Sequence, residues 1–301
     1  MSLFPYLDQQ ALHERWTEDR YPVLTNNNPV WNSYAKSAVP NLETLMCPSA
    51  SDLETSMGGA TSYASNNGYF FPWGSFGFGT PEMPVHLANQ LAADTDKTAN
   101  GVFFPRITGR SGDIYSSHPF LGIGAINHAD TKFRLTHAKD GLSNTLCFSE
   151  NLYQRPWHYL RNQNWTTGMA PRHPIADFRM EPSDLQFNMI DVQLFSGIVW
   201  HFYDDDGFGN AKQPPPLLKI NGPYSGQLDR FPQSTDSLYH VAHCKPSSRH
   251  PGGANVVMLD GSVHFIGDHI SYRVFQALMT PHGKSSHVPF PEFILQDEDW
   301  K

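Results

Sequence analysis

The sequence has no run of about 18 apolar residues, the length a helix needs to cross a bilayer. It shows no charged n-region followed by an apolar stretch, so no secretory signal is visible. Charge is sparse: Asp, Glu, Lys and Arg make up 17% of the chain, while aromatics reach 13%. A disordered chain needs the reverse balance, so disorder is excluded. No basic patch stands out and the net charge is −8 with His neutral, which argues against a nucleic-acid partner. The three cysteines, Cys47, Cys147 and Cys244, are too few and too scattered for a disulfide scaffold. One pair with one free thiol and three buried thiols both stay open. There is no Gly-x-Ser-x-Gly elbow, phosphate loop or His-Glu-x-x-His, and no internal repeat.

What is there is turn chemistry. The chain of 301 residues holds 23 Gly and 24 Pro, which indicates a loop-rich, β-rich globule with fixed turns and a sizeable core. Its 15 His would shift the net charge in mildly acidic surroundings.

The most legible stretch is Ser248 to Ile266. Asn255–Leu259 and Ser262–Ile266 are short β-rich runs around Asp260-Gly261, a pair that suits a two-residue type I′ turn. That turn pairs Val257 with His264 and Val256 with Phe265. It predicts a core face of Val256, Met258, Val263 and Phe265. Ahead of it, His250-Pro251-Gly252-Gly253 makes a rigid-then-permissive corner.

A His, nine residues and Asp-Gly, here His250 and Asp260-Gly261 with Asn255 between them, resembles the signature of a bacterial pilin-like family. That family is named for its prepilin-type processing-associated H-X9-DG domain, whose function is unknown. Other segments resemble the family in the same order: Leu45-Met46-Cys47-Pro48-Ser49, Ser62 to Gly68, Asn100 to Phe104, and Asp140 to Leu146 with Glu150. The resemblance implies a pilin-like antiparallel sheet. It also implies a prepilin leader and a long hydrophobic helix that this chain does not carry. Met1-Ser2 ahead of Leu3 reads as an arbitrary, trimmed start.

Taken in order, Pro5 to Trp16 has helical spacing of Leu7, Ala11, Leu12 and Trp16. Short helices are expected over 30–37 and 85–93, and strands over Leu42–Met46, Val102–Phe104 and Asn144–Glu150. The segment Gly58–Gly79 reads as a long loop pinned by its own rings. An aromatic ligand surface of Tyr69, Phe71, Trp73 and Phe76 is the alternative there. Residues 151–245 form a loop-rich insertion with a few strands. Asp268 is placed to cap a helix carrying Ile270, Val274, Phe275 and Leu278, which Pro281 and Gly283 stop. Asp297 to Lys301 reads as an exposed tail.

Three sets of residues invite chemistry. His250 with Asp260 would be a base and its orienting acid. Five strand residues separate the ends by on the order of 16 Å, which forbids a dyad, and Asp260 is expected to bond its own turn. His240, His243, Cys244 and His250 are the densest soft-ligand group, though their spacing matches no familiar zinc site. Asp204, Asp205, Asp206 and Asn210 are calcium candidates in an acidic turn that is not an EF-hand. In both places the preferred reading is without a metal, a buried His bonded to backbone and a solvated acidic turn, and no other cofactor is expected.

The sequence thus predicts an α+β fold: one elaborated pilin-like domain over 1–301, with its core in 1–150 and 246–285. The expected function is non-enzymatic, the soluble head of a pilin- or pseudopilin-like envelope, secretion or filament protein. It would lie outside the cytoplasm, anchored through an N-terminal helix absent from this chain. Partners would be other pilin-like or envelope proteins. The alternatives are an extracellular glycan- or ligand-binding module and a self-assembling filament subunit.

Overall fold

The structure is a computed structural model that describes residues 4–15, 40–50, 59–69, 97–103, 132–152, 154, 197–201, 218–222 and 244–301. The helices expected over 30–37 and 85–93 lie outside these residues.

The framework is a five-stranded sheet of β1 (Tyr63–Tyr69), β2 (Leu146–Glu150), β3 (Gly197–Trp200), β4 (Gly253–Met258) and β5 (Val263–Gly267), in the order β3-β1-β2-β4-β5. The pairs β1·β2, β2·β4 and β4·β5 are antiparallel, while β1·β3 is parallel. The sheet is therefore mixed, where a purely antiparallel one was expected. A parallel neighbour needs a long crossover, and the chain from β1 to β3 supplies it over residues 70–196, with β2 on the way. With few helices beside it, the architecture is an α+β mix.

Two short helices are described, α1 (Gln10–Arg15) and α2 (Tyr272–Met279). The expected single helix from Pro5 is broken into a 3-10 turn at Phe4–Leu7 and α1, with Asp8 at φ 56° between them. The cap of α2 is Ser271, whose hydroxyl accepts from Val274 N–H at 3.3 Å, and not Asp268. The helix buries Tyr272, Val274, Phe275, Leu278 and Met279. Each such side chain contributes on the order of 1.5–3 kcal/mol of transfer free energy. They pack with Leu146, Ile198, Trp200, Val256, Met258 and Ile266 into one core. Trp300 joins that core and meets His264 edge-on at 5.0 Å, so the C-terminal end is not a free tail.

Several local expectations need correction. Leu42–Met46 carries a 3-10 turn over Glu43–Leu45 instead of a strand. Val102 and Phe103 form no strand, and both donate to Asn66 O. The segment read as a loop contains β1, because its small and amide side chains fit a strand buried on both sides, with Ala64, Asn66, Asn67 and Tyr69 all buried. In β2 the alternation fails at a bulge between Leu146 and Phe148, opposite Met258 and Val257.

The β4–β5 hairpin forms one residue out of the expected register, pairing Val257 with Val263 and Val256 with His264. Its loop is Leu259-Asp260-Gly261, closed by Gly261 N–H to Met258 O at 3.0 Å and Met258 N–H to Ser262 O at 2.9 Å. Only Gly261, at φ 85°, is left-handed, whereas a type I′ turn needs Asp260 there too. A one-residue slip turns a strand over. Val256 and Met258 stay in the core as expected, but Val263 and Phe265 face outward at 65% and 47% exposure and Ile266 is buried.

Candidate functional site

Four loops and strand ends converge at the end of β2. Glu150, its last residue, has a side chain only 4% exposed. One carboxyl oxygen, Oε2, accepts from Asn255 N–H at 2.8 Å and from Asn255 Nδ2 at 3.2 Å. The other, Oε1, lies 3.1 Å from His250 Nε2. Cys47 Sγ lies 3.7 Å from that same nitrogen. One donor atom from each of Cys47, Glu150 and His250 falls within 4.8 Å of the others.

Local chemistry holds each arm. Cys47 N–H donates to Ser62 Oγ, while Ser62 O accepts from Asn151 N–H at 2.7 Å, beside Glu150. The His250 corner is braced by Ser248, whose hydroxyl accepts from His250 N–H at 3.0 Å and donates to Gly253 O at 2.6 Å. Asn221, in a left-handed conformation at φ 50°, clamps the corner from outside. Its Oδ1 accepts from Ser248 N–H at 2.7 Å and its Nδ2 donates to Gly253 O at 2.8 Å. Gly252 sits at φ 80°. A Cβ on Gly253 would fall 2.1 Å from Ile266 O, so only glycine fits where β4 leaves the corner. Pro251 is exposed ahead of both.

The group is not a catalytic relay. A thiol–imidazole–carboxylate relay places thiol and carboxylate on opposite ring nitrogens. Here both face Nε2. The thiol is also poorly placed to ionise: burial pushes the Cys47 pKa up, and the neighbouring Glu150 pushes it further. Nucleophilic cysteines need the opposite surroundings. Tyr63, which pairs with Glu150 across β1·β2, is likewise raised, by burial and then by Cys47 and Glu150.

The sequence placed His250 in a site but not its partners. Asp260 behaves as expected: its Oδ1 accepts from Ser262 N–H at 2.8 Å and Ser262 Oγ at 2.6 Å, which lowers its pKa. The acid beside His250 is instead Glu150. Of the soft-ligand set, Cys244 is buried in the sheet core, its carbonyl accepting from Val199 N–H at 2.9 Å, and His240 and His243 lie outside the described residues. The calcium candidates Asp204, Asp205, Asp206 and Asn210 also lie outside them, as do Phe71, Trp73 and Phe76. Tyr69 is 0% exposed and packs at a tilt against Trp200, 4.7 Å between ring centroids, so it is a core residue and not part of a ligand surface. No disulfide joins Cys47, Cys147 and Cys244, and burial raises the Cys147 pKa to about 11.

The remaining motif residues bond backbone. Asn66 Nδ2 donates to Leu146 O and Met279 O, both at 2.8 Å, and its Oδ1 accepts from Gly68 N–H at 3.0 Å. Gly68, at φ 80°, lets the chain pass Asn100 and Gly101, where a Cβ would fall 2.9 Å from backbone atoms. Asn100 O accepts from Trp200 Nε1 at 2.8 Å. Asp140 Oδ2 accepts from Gly283 N–H, and Asn144 Nδ2 donates to Asp140 O at 3.2 Å.

Fold and site together define an α+β protein whose recurring polar segments turn inward onto one mixed sheet. The chain matches a family described as a protein of unknown function (DUF1559) over residues 1–272, and it belongs to that family. No curated protein and no solved structure matches it.

Proposed function

We propose that this chain is the non-enzymatic globular head of a pilin- or pseudopilin-like protein of the bacterial envelope, carrying recognition on its surface loops. The observation that carries this reading is how the segments resembling the prepilin-type family are used. Cys47, Asn66, Gly68, Asn100, Asp140, Glu150 and His250 come from five separated stretches, yet they meet around one sheet and mostly bond backbone. Such residues hold a scaffold. The single-nitrogen geometry at His250 supports a role without nucleophilic catalysis.

Size-exclusion chromatography with light scattering tests the reading, followed by negative-stain imaging, with calcium and with a chelator. A monodisperse monomer in both conditions is expected of a head. Ordered polymers formed by these 301 residues alone would replace it with a self-assembling filament subunit.

A further inference from the structure

We infer that Cys47, Glu150 and His250 form a three-ligand site for a zinc-class divalent cation, closed by Asn255 and open to solvent at its fourth position. The donor set comes first. A thiolate sulfur, an imidazole nitrogen and a carboxylate oxygen are the three ligand types that zinc takes, and a sulfur–nitrogen pair selects it over calcium or magnesium.

The spacing comes second. With Zn–S of about 2.3 Å and Zn–N and Zn–O of about 2.0–2.1 Å, a tetrahedral ion sets its S···N edge near about 3.6 Å and its N···O edge near about 3.3 Å. The corresponding separations here are 3.7 Å for Cys47 Sγ to His250 Nε2 and 3.1 Å for His250 Nε2 to Glu150 Oε1. This is why thiol and carboxylate share one ring nitrogen. An ion at the centre takes one donor atom from each residue, whereas a proton relay would not.

The surroundings come third. Metal-binding carboxylates are held by outer hydrogen bonds. Here both Asn255 donors occupy Oε2 and leave Oε1 turned toward the thiol and the ring. Cys47 and His250 are fixed through their own N–H groups by Ser62 and Ser248, so the arms are set before an ion arrives. Access exists from one side, since the His250 side chain is 31% exposed and Cys47 is half-buried, while Glu150 closes the floor. Three protein ligands leave a fourth position on that solvent side for water. Binding replaces the Cys47 thiol proton with the metal, and that proton leaves to solvent. The site draws on three distant parts of the chain, so a bound ion would also tie the 40–50 segment to the sheet.

The test is a titration of the reduced, chelator-stripped chain with Co2+, followed by Zn2+ displacement. The expected result is one Co2+ per chain, tetrahedral visible bands, a thiolate-to-cobalt charge-transfer band, and loss of all of these when Zn2+ is added. Cys47→Ser and His250→Ala should each remove the charge-transfer band or weaken binding by about tenfold or more. Cys147→Ser, which changes a thiol outside the cluster, should leave the spectrum intact. Asn255→Ala should weaken Zn2+ binding by about 10–100-fold with the band retained. Because Glu150 is buried, Cys47→Ser at a half-buried position is the primary variant, checked by near-UV circular dichroism for a native fold. A wild-type chain that takes up no Co2+, or a charge-transfer band that survives in folded Cys47→Ser, would overturn the site.

Discussion

Asn66 joins three pieces of chain that are far apart in sequence: β1, the carbonyl at the start of β2, and the last carbonyl of α2. It is fully buried, so removing its amide leaves two backbone carbonyls without that donor. Asn66→Ala should lower the unfolding free energy by about 2–4 kcal/mol, read from urea midpoints at constant m-value. Lys245 is buried as well. Its ammonium donates to Gly222 O at 2.8 Å, and burial lowers its pKa to about 8 from an ordinary 10.5. Between those values the unfolded chain holds a proton that the folded one lacks, so stability rises with pH in that window and is flat below it. The stability of the wild type relative to Lys245→Met should therefore increase by about 2 kcal/mol from about pH 7 to about pH 10, measured by denaturant titration at each pH. Neither role is legible in the sequence alone. A buried Lys looks like any surface Lys until the fold closes over it. Cys47 and Glu150 were visible only as members of separate segments, because their partner His250 is 203 and 100 residues away.

At the scale of elements, the β4–β5 hairpin shows what local pattern can and cannot decide. The two strands, the Asp-Gly turn and the inward face of β4 were all readable. Register was not, because Asp-Gly serves equally a two-residue turn and a three-residue loop with a left-handed Gly261. The choice falls to tertiary packing: Ile266 enters the core with Ala254 and Met258, and Phe265 is left outside. Ile266→Ala should cost about 2–5 kcal/mol, while Phe265→Ser should stay within about 0.5 kcal/mol. The reverse order in thermal or urea unfolding would restore the two-residue turn. Strand β1 was hidden for a related reason. Between its two tyrosines it runs Ala, Ser, Asn, Asn and Gly, with no β-branched residue, and its strand state comes from bolting Asn66 and Gly68 into neighbours. The α2 helix, by contrast, was legible from spacing at Val274, Phe275 and Leu278, though its cap moves from Asp268 to Ser271 and Ile270 falls ahead of it.

At the scale of the whole molecule, the separated segments act as one frame: the later half of β1 and the 97–103 loop at one end of the sheet, the Cys47–Glu150–His250 cluster at the other. A frame of this kind suits a protein that presents loops from a rigid centre, which is the proposed role as an envelope head. The most direct measurement of that role is the location of the full-length gene product in its native cells. An epitope-tagged protein, fractionated and then exposed to protease on intact cells, should appear in the envelope fraction and be cleaved from outside. Recovery in the cytosolic fraction, protected from external protease, would contradict the account.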